Sequence, residues 1–176
     1  KAWFLEYKEE EERNSCILEF EKEIPENFYE KRKIGENDDF VCQLIRKDLI
    51  EEFIIYVNKN SYSLNTQIKN ESIYETNSFL LNSYPSLIDY AAFFGSIQIF
   101  NYLRLNGVKL TESLWLYAIH GQNAEIIHIL EENSIEFDNP DTIINESIKC
   151  HHNDMANYFQ SNYLADTKKK FKLYII

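Results

Sequence analysis

The sequence predicts an all-α fold, built as a solenoid of about four helix pairs. Three observations lead there. The chain repeats itself: S-L-I-D-Y-A-A-F-F-G-S-I-Q-I-F-N-Y-L-R-L-N-G at 86–107 is echoed by S-L-W-L-Y-A-I-H-G-Q-N-A-E-I-I-H-I-L-E-E-N-S at 113–134. Ser86, Tyr90, Ala91, Ile99, Leu103 and Asn106 find their own kind 27 residues later, and a period in this range marks a repeat solenoid. Apolar residues within each copy recur at helical spacing. Finally, four Gly and three Pro in 176 residues leave few tight turns, which argues against a β-sandwich or barrel.

The first clear copy, 86–107, reads as helix–turn–helix. Ser86 and Asp89 form an S-x-x-D capping box ahead of Tyr90–Phe94. Ala91 and Ala92 permit close approach of another helix, and Gly95 stops the first helix by accepting a conformation that side chains resist. Ile97, Ile99, Phe100 and Leu103 give the second helix an apolar face, and Gly107 ends it. Neither helix can bury its face alone, so neighbouring copies must stack. In the second copy, 113–134, the turn is Gly121-Gln122-Asn123 and the second face is Ile126, Ile127 and Leu130.

Two weaker copies flank these. Over 141–163, Ser147–Phe159 aligns with Ala118–Leu130 at an offset of 29, and Asp141 after Pro140 is the expected N-cap. Over 41–61, Val41–Ile45 reads as a first helix and Asp48–Val57 as a second. The intervening 61–85 is rich in Ser and Asn and reads as a long loop with one short helical turn at Ile73–Leu81. These copies define a repeat domain over 41–164. Residues 1–40 form a charged N-terminal segment with an amphipathic helix expected over Leu5–Ile24, and 165–176 a basic, apolar tail that fits no repeat.

The two clear copies resemble ankyrin repeats. Ser86-Leu87-Ile88-Asp89 stands in the T-P-L-H slot, Ala91-Ala92 in the A-A, Gly95 in the G and Gln98-Ile99-Phe100 in the E-I-V. The second copy matches at Ala118, Glu125, Ile126, Ile127 and Leu130. The wording at Ile73–Leu81, 86–100, 113–121 and 148–158 is similar to a divergent group of uncharacterised ankyrin-like proteins expanded in protists. The resemblance to that group implies a fold but no activity. No copy carries the proline or histidine of T-P-L-H. The 27-residue offset is about six short of the ordinary period of about 33. The shortfall lies between Gly107 and Ser113, where an ankyrin repeat carries its β-finger, so shortened β-fingers are expected.

The expected function is therefore protein–protein interaction through the concave face of the first helices. By the resemblance, Phe93 and Phe94 face that groove, and the matching positions in later copies supply His120 and Lys149. Buried aromatics dominate interface energetics; the competing reading is that one or both phenylalanines pack beneath 61–85. An alternative is a structural segment of a longer repeat protein with no dedicated site. The remote alternative is a Cys/His hydrolase using Cys150 and His120 from adjacent copies, with nothing in the sequence to orient the base. Cys150-His151-His152-Asp154 holds ligand-type side chains, but adjacent helical residues diverge by about 100°, so it reads as a solvated turn. No catalytic residue, cofactor or metal is expected.

Composition limits the partner class. A net charge of −11 repels phosphate backbones, so nucleic acid is not an expected partner. No apolar run approaches 18 residues, so no membrane span is expected. Cys16, Cys42 and Cys150 are odd in number and widely separated, which fits a reduced, cytoplasmic setting. The single methionine is Met155, so the chain is expected to be a piece of a longer protein.

Overall fold

In the computed structural model, residues 25, 27–68, 72–137 and 139–164 are described. They form ten α-helices and almost no strand: α1 (Phe28–Ile34), α2 (Phe40–Arg46), α3 (Ile50–Lys59), α4 (Ser78–Ser83), α5 (Leu87–Phe93), α6 (Ile97–Leu105), α7 (Leu114–Gly121), α8 (Ala124–Glu132), α9 (Pro140–Lys149) and α10 (Asn153–Phe159). A single π turn, Gln160–Leu164, follows α10. The expected helix over Leu5–Ile24 and the 165–176 tail lie outside the described residues.

The helices pair as α2/α3, α5/α6, α7/α8 and α9/α10, and each pair packs on the next. First helices meet in the order α2, α5, α7, α9, and second helices in the order α3, α6, α8. The interfaces are made by the residues that the helical spacing singles out. Ala91, Ala92, Ile99, Phe100 and Leu103 are fully buried, as are Ala118, Ile126 and Leu130 one copy on. Trp115, Phe137, Phe159 and Tyr163 form an aromatic cluster at the α9/α10 end, edge to face except for the tilted Phe159–Tyr163 pair, and the Trp115 indole donates to the Ile135 carbonyl at 2.8 Å.

The polar links between pairs run from turn to turn. Asp48 ends the α2 turn in the left-handed region, with φ at 49°. Its carboxylate accepts from the Gln98 and Ile99 amides, each at 3.0 Å, so one pair caps the second helix of the next. Asp48 is therefore a cap for α6 rather than the first residue of α3. The Ser96 hydroxyl donates to the Ile45 carbonyl at 2.6 Å, and the Asn123 amide donates to the Gly95 carbonyl at 2.9 Å. Such bonds satisfy helix-end groups that would otherwise be orphaned by burial.

The α5 capping box is present. Ser86 Oγ accepts from the Asp89 amide, and the Asp89 carboxylate accepts from the Ser86 amide at 3.0 Å and its hydroxyl at 2.6 Å. Burial raises the Asp89 carboxyl above its ordinary pKa. Ser86→Ala removes the reciprocal cap, and chemical denaturation should register a loss of about 1 kcal/mol. An unchanged midpoint would mean that the cap is replaced by water.

Three further local expectations need correction. Asn139, not Asp141, caps α9: its side chain accepts from the Asp141 amide at 2.9 Å, and Pro140 takes the first helical position, where its missing N–H is not needed. Gly121 lies inside α7, and Gln122 takes the left-handed conformation after it. Gly121 is there for proximity, because a Cβ at this position would stand 2.1 Å from the Ala92 carbonyl oxygen. The 61–85 segment is more than a loop. Its helix is Ser78–Ser83, capped by Asn77, and Gln67 pairs with Ser86 in an isolated antiparallel bridge. Ile68, Tyr74 and Leu80 of this segment are buried, so it is part of the core.

Candidate functional site

The candidate site runs along the first helices. The sequence nominates Phe93 and Phe94 at the end of α5, His120 near the end of α7 and Lys149 at the end of α9. The stacking of α5, α7 and α9 brings these three helix ends side by side. Phe94 and Phe93 meet edge to face at 5.0 Å between centroids. The Phe93 ring stacks on the His120 imidazole at 4.7 Å. His120 Nε2 reaches Glu146 Oε1 at 3.1 Å, and Lys149 Nζ reaches the other Glu146 oxygen at 3.0 Å. The four nominated residues thus form one row, with Glu146 as a link that the sequence did not single out.

Their exposure differs. Phe94 is half-buried and Lys149 is open to solvent. Phe93 is buried, because Phe79 of α4 stacks on it at 5.9 Å between centroids. Of the two readings held open for the pair, packing beneath 61–85 applies to Phe93 and not to Phe94. Phe79 also lies 4.5 Å from the His120 ring, so two phenyl rings hold the imidazole and turn its nitrogen edge toward α9.

At the other end of the row, Arg46 of α2 organises the flank of Phe94. Its guanidinium lies 5.9 Å from the Phe94 ring centre, donates to the Tyr90 hydroxyl at 2.8 Å and pairs with Glu36 at 3.0 Å. Beside Phe93 and Phe94 a cleft of about 520 Å³ opens between the end of α1 and the start of α4, lined by Ile34, Glu36, Asn77, Leu80 and the two phenylalanines. The buried Glu75 carboxylate builds one wall by accepting from the amides of Asn37, Thr76 and Asn77 at 3.2, 2.9 and 2.8 Å. Arg32 of α1 fixes the same wall by donating to the Ile73 and Glu75 carbonyls at 2.7 and 2.8 Å. Nothing in the sequence pattern marks this cleft. Apart from Phe93 and Phe94, its walls come from segments outside the clear copies.

The turn after α9 carries Cys150, His151 and His152 between two helices, as the alignment places it. His151 is exposed with a left-handed φ of 61°, and His152 Nδ1 meets the Gln122 amide. The chemistry-bearing group that forms is a different one. Cys150 Sγ lies 3.4 Å from His120 Nδ1 and 3.7 Å from Nε2. The ligand atoms of His120, Glu146 and Cys150 all lie within 4.8 Å of one another. Glu146 and Cys150 are four residues apart and share one face of the chain at the end of α9.

Burial lowers the His120 pKa; its hydrogen bond to Glu146 and that carboxylate's charge oppose the shift, and the nearby His152 adds to it. A carboxylate can only accept, so the contact with Glu146 places a proton on His120 Nε2. Burial raises the Cys150 thiol, and Glu146 raises it further against the smaller effect of Lys149. Cys42 is fully buried, and burial pushes its thiol up to about 12, which leaves it inert.

Among the described residues, no helix is long and apolar enough to cross a membrane. No protein-family model, curated protein or solved structure matches this chain.

Proposed function

We propose that this chain is an interaction module of divergent ankyrin type, which holds a segment of a partner protein against the first-helix face beside Phe94. The observation that carries this reading is the cleft of about 520 Å³ next to Phe93 and Phe94. It sets the half-buried Phe94 ring beside a mixed lining of Ile34, Leu80, Glu36 and Asn77, and such an aromatic is the kind of anchor on which interfaces concentrate their energy. The net charge of −11 favours a partner segment with basic residues flanking its apolar anchor and disfavours nucleic acid. The nearest-neighbour stacking of helix pairs and the 27-residue echo support the ankyrin-type assignment. A reducing, cytoplasmic setting goes with this reading, because neither described cysteine is in a disulfide.

A hydrolase is the weaker reading. Glu146 supplies the orienting group that the sequence lacked, but a cysteine nucleophile needs a depressed pKa. Cys150 is shifted the other way.

The test is selection of peptides from a random display library on the folded chain, followed by affinity measurement on variants. Selected peptides should carry an aromatic or aliphatic anchor next to Lys or Arg. Phe94→Ala should weaken them by about 30-fold, the effect of a 2 kcal/mol hot spot. Tyr158→Ala, in a separate cleft between α8 and α10, should leave them unchanged. Peptides that bind Phe94→Ala as tightly as the parent would remove the site.

A further inference from the structure

We propose that His120, Glu146 and Cys150 form a zinc site that clamps α7 of one helix pair to α9 of the next. This stands apart from the Phe94 cleft and does not depend on it. Its grounds are the ligand set, the spacing and the position of the three groups.

The set is one thiol, one imidazole and one carboxylate. These are the three ligand types that zinc takes, and the mixture of soft sulfur with nitrogen suits it over calcium or magnesium. With ordinary zinc–ligand lengths and tetrahedral angles, a sulfur and a nitrogen on one ion stand about 3.6 Å apart, and a nitrogen and an oxygen about 3.4 Å. Here Cys150 Sγ and His120 Nε2 are 3.7 Å apart, and Nε2 and Glu146 Oε1 are 3.1 Å apart. The third pair, Cys150 Sγ and the Glu146 oxygen, lies within 4.8 Å, so side-chain movement must close the set on an ion.

The surroundings are those of a ligand set held in place. The His120 and Glu146 side chains are mostly covered, at 17% and 15% exposed. Phe79 and Phe93 brace the imidazole. Lys149 donates to the Glu146 oxygen that faces away from His120, which orients the carboxylate as outer-shell partners of ligands do. Three protein ligands leave a fourth tetrahedral position for water or a donor from a partner.

Binding is balanced in protons. The Cys150 thiol gives up its proton to solvent as sulfur bonds to zinc, and the His120 proton moves from Nε2 to Nδ1. One proton is released per ion, so affinity falls as pH is lowered. No redox change occurs. The consequence is mechanical: a link between adjacent pairs stiffens the stack where the row of first-helix residues ends, and stabilises the folded chain by mass action.

Cobalt reports the site. The full chain, stripped with a chelator and kept reduced, is titrated with Co²⁺ and then with Zn²⁺. The expected result is one Co²⁺ per chain, with a thiolate-to-metal charge-transfer absorption and visible bands of tetrahedral intensity. Stoichiometric Zn²⁺ should abolish these and raise the thermal midpoint. Cys150→Ser should lose the charge-transfer absorption, and His120→Ala and Glu146→Gln should lose tetrahedral binding. Cys42→Ala and His128→Ala should keep both. Far-UV circular dichroism of each variant separates loss of ligand from loss of fold. Should His120→Ala fail to fold, Cys150→Ser and Glu146→Gln, which change one atom each, decide the question. Absence of a charge-transfer absorption in the parent, or its persistence in Cys150→Ser, overturns the proposal. Co²⁺ binding without thiolate, carried by His151 or His152, overturns it equally.

Discussion

Leu103→Asp unfolds the α5/α6 region, whereas Leu105→Asp, two residues further along the same helix, leaves it standing. Leu103 is completely buried and Leu105 is 76% exposed. The first substitution drives a carboxylate into the apolar contact between helix pairs, at a cost on the order of 4 kcal/mol or more. A domain's whole stability is about 5–15 kcal/mol, so most of it is lost. The second puts a charge into water and should fall within about 0.5 kcal/mol of the parent. Urea denaturation followed by circular dichroism measures both. Equal midpoints would mean that α6 does not present Leu103 to its neighbours. Leu130→Asp, the equivalent in the next copy and also fully buried, should repeat the result.

Gly121→Ala destabilises the chain by about 1–3 kcal/mol, the usual cost of overpacking. Helix propensity predicts the opposite sign, since alanine is favoured over glycine in a helix by about 1 kcal/mol. The decisive contact is with backbone, not with a side chain that could swing aside. The added methyl would stand 2.1 Å from the Ala92 carbonyl oxygen and 2.9 Å from the Gly95 nitrogen. One of the two helices must retreat, and α5/α7 is the most extensive interface between helix pairs. A midpoint that rises in thermal unfolding would show that α7 stands further from α5 than described.

Why the helix pairs were readable and the cleft was not has a physical reason. Helices announce themselves by period, and the pairs repeat, so each copy supports the reading of the others. Ala91, Ile99 and Leu103 have counterparts at Ala118, Ile126 and Leu130, all fully buried. End residues are harder, because several polar side chains compete for each cap. Asp141 had the right chemistry, but Asn139 precedes the proline and takes the position. Gly121 read as a turn residue because glycine has two uses, and a close approach depends on Ala92, 29 residues away, which local sequence does not report.

The candidate site was legible in part for the same reason. Aligned copies placed Phe93, Phe94, His120 and Lys149 at equivalent helix ends, and stacking puts equivalent ends in a row. Glu146 was missed because it lies one turn back on α9, where the two clear copies share a tyrosine, Tyr90 and Tyr117, and this copy departs from them. Its signal was the spacing Glu-x-x-x-Cys, which only matters once His120 faces it. Phe79 was missed because the 61–85 segment breaks the repeat, and no periodic pattern tells where an insertion packs.

The central claim is that consecutive first helices lay their ends against one another, with His120 between Phe93 on one side and Cys150 on the other. Proton NMR on the full chain measures this directly, since only four histidines need assignment. The His120 ring protons should show nuclear Overhauser effects to the Phe93 and Phe79 rings and to the Cys150 β-protons, with ring-current shifts that His128 and His151 lack. A His120 ring with contacts only to its own helix would contradict the stack, and the site with it.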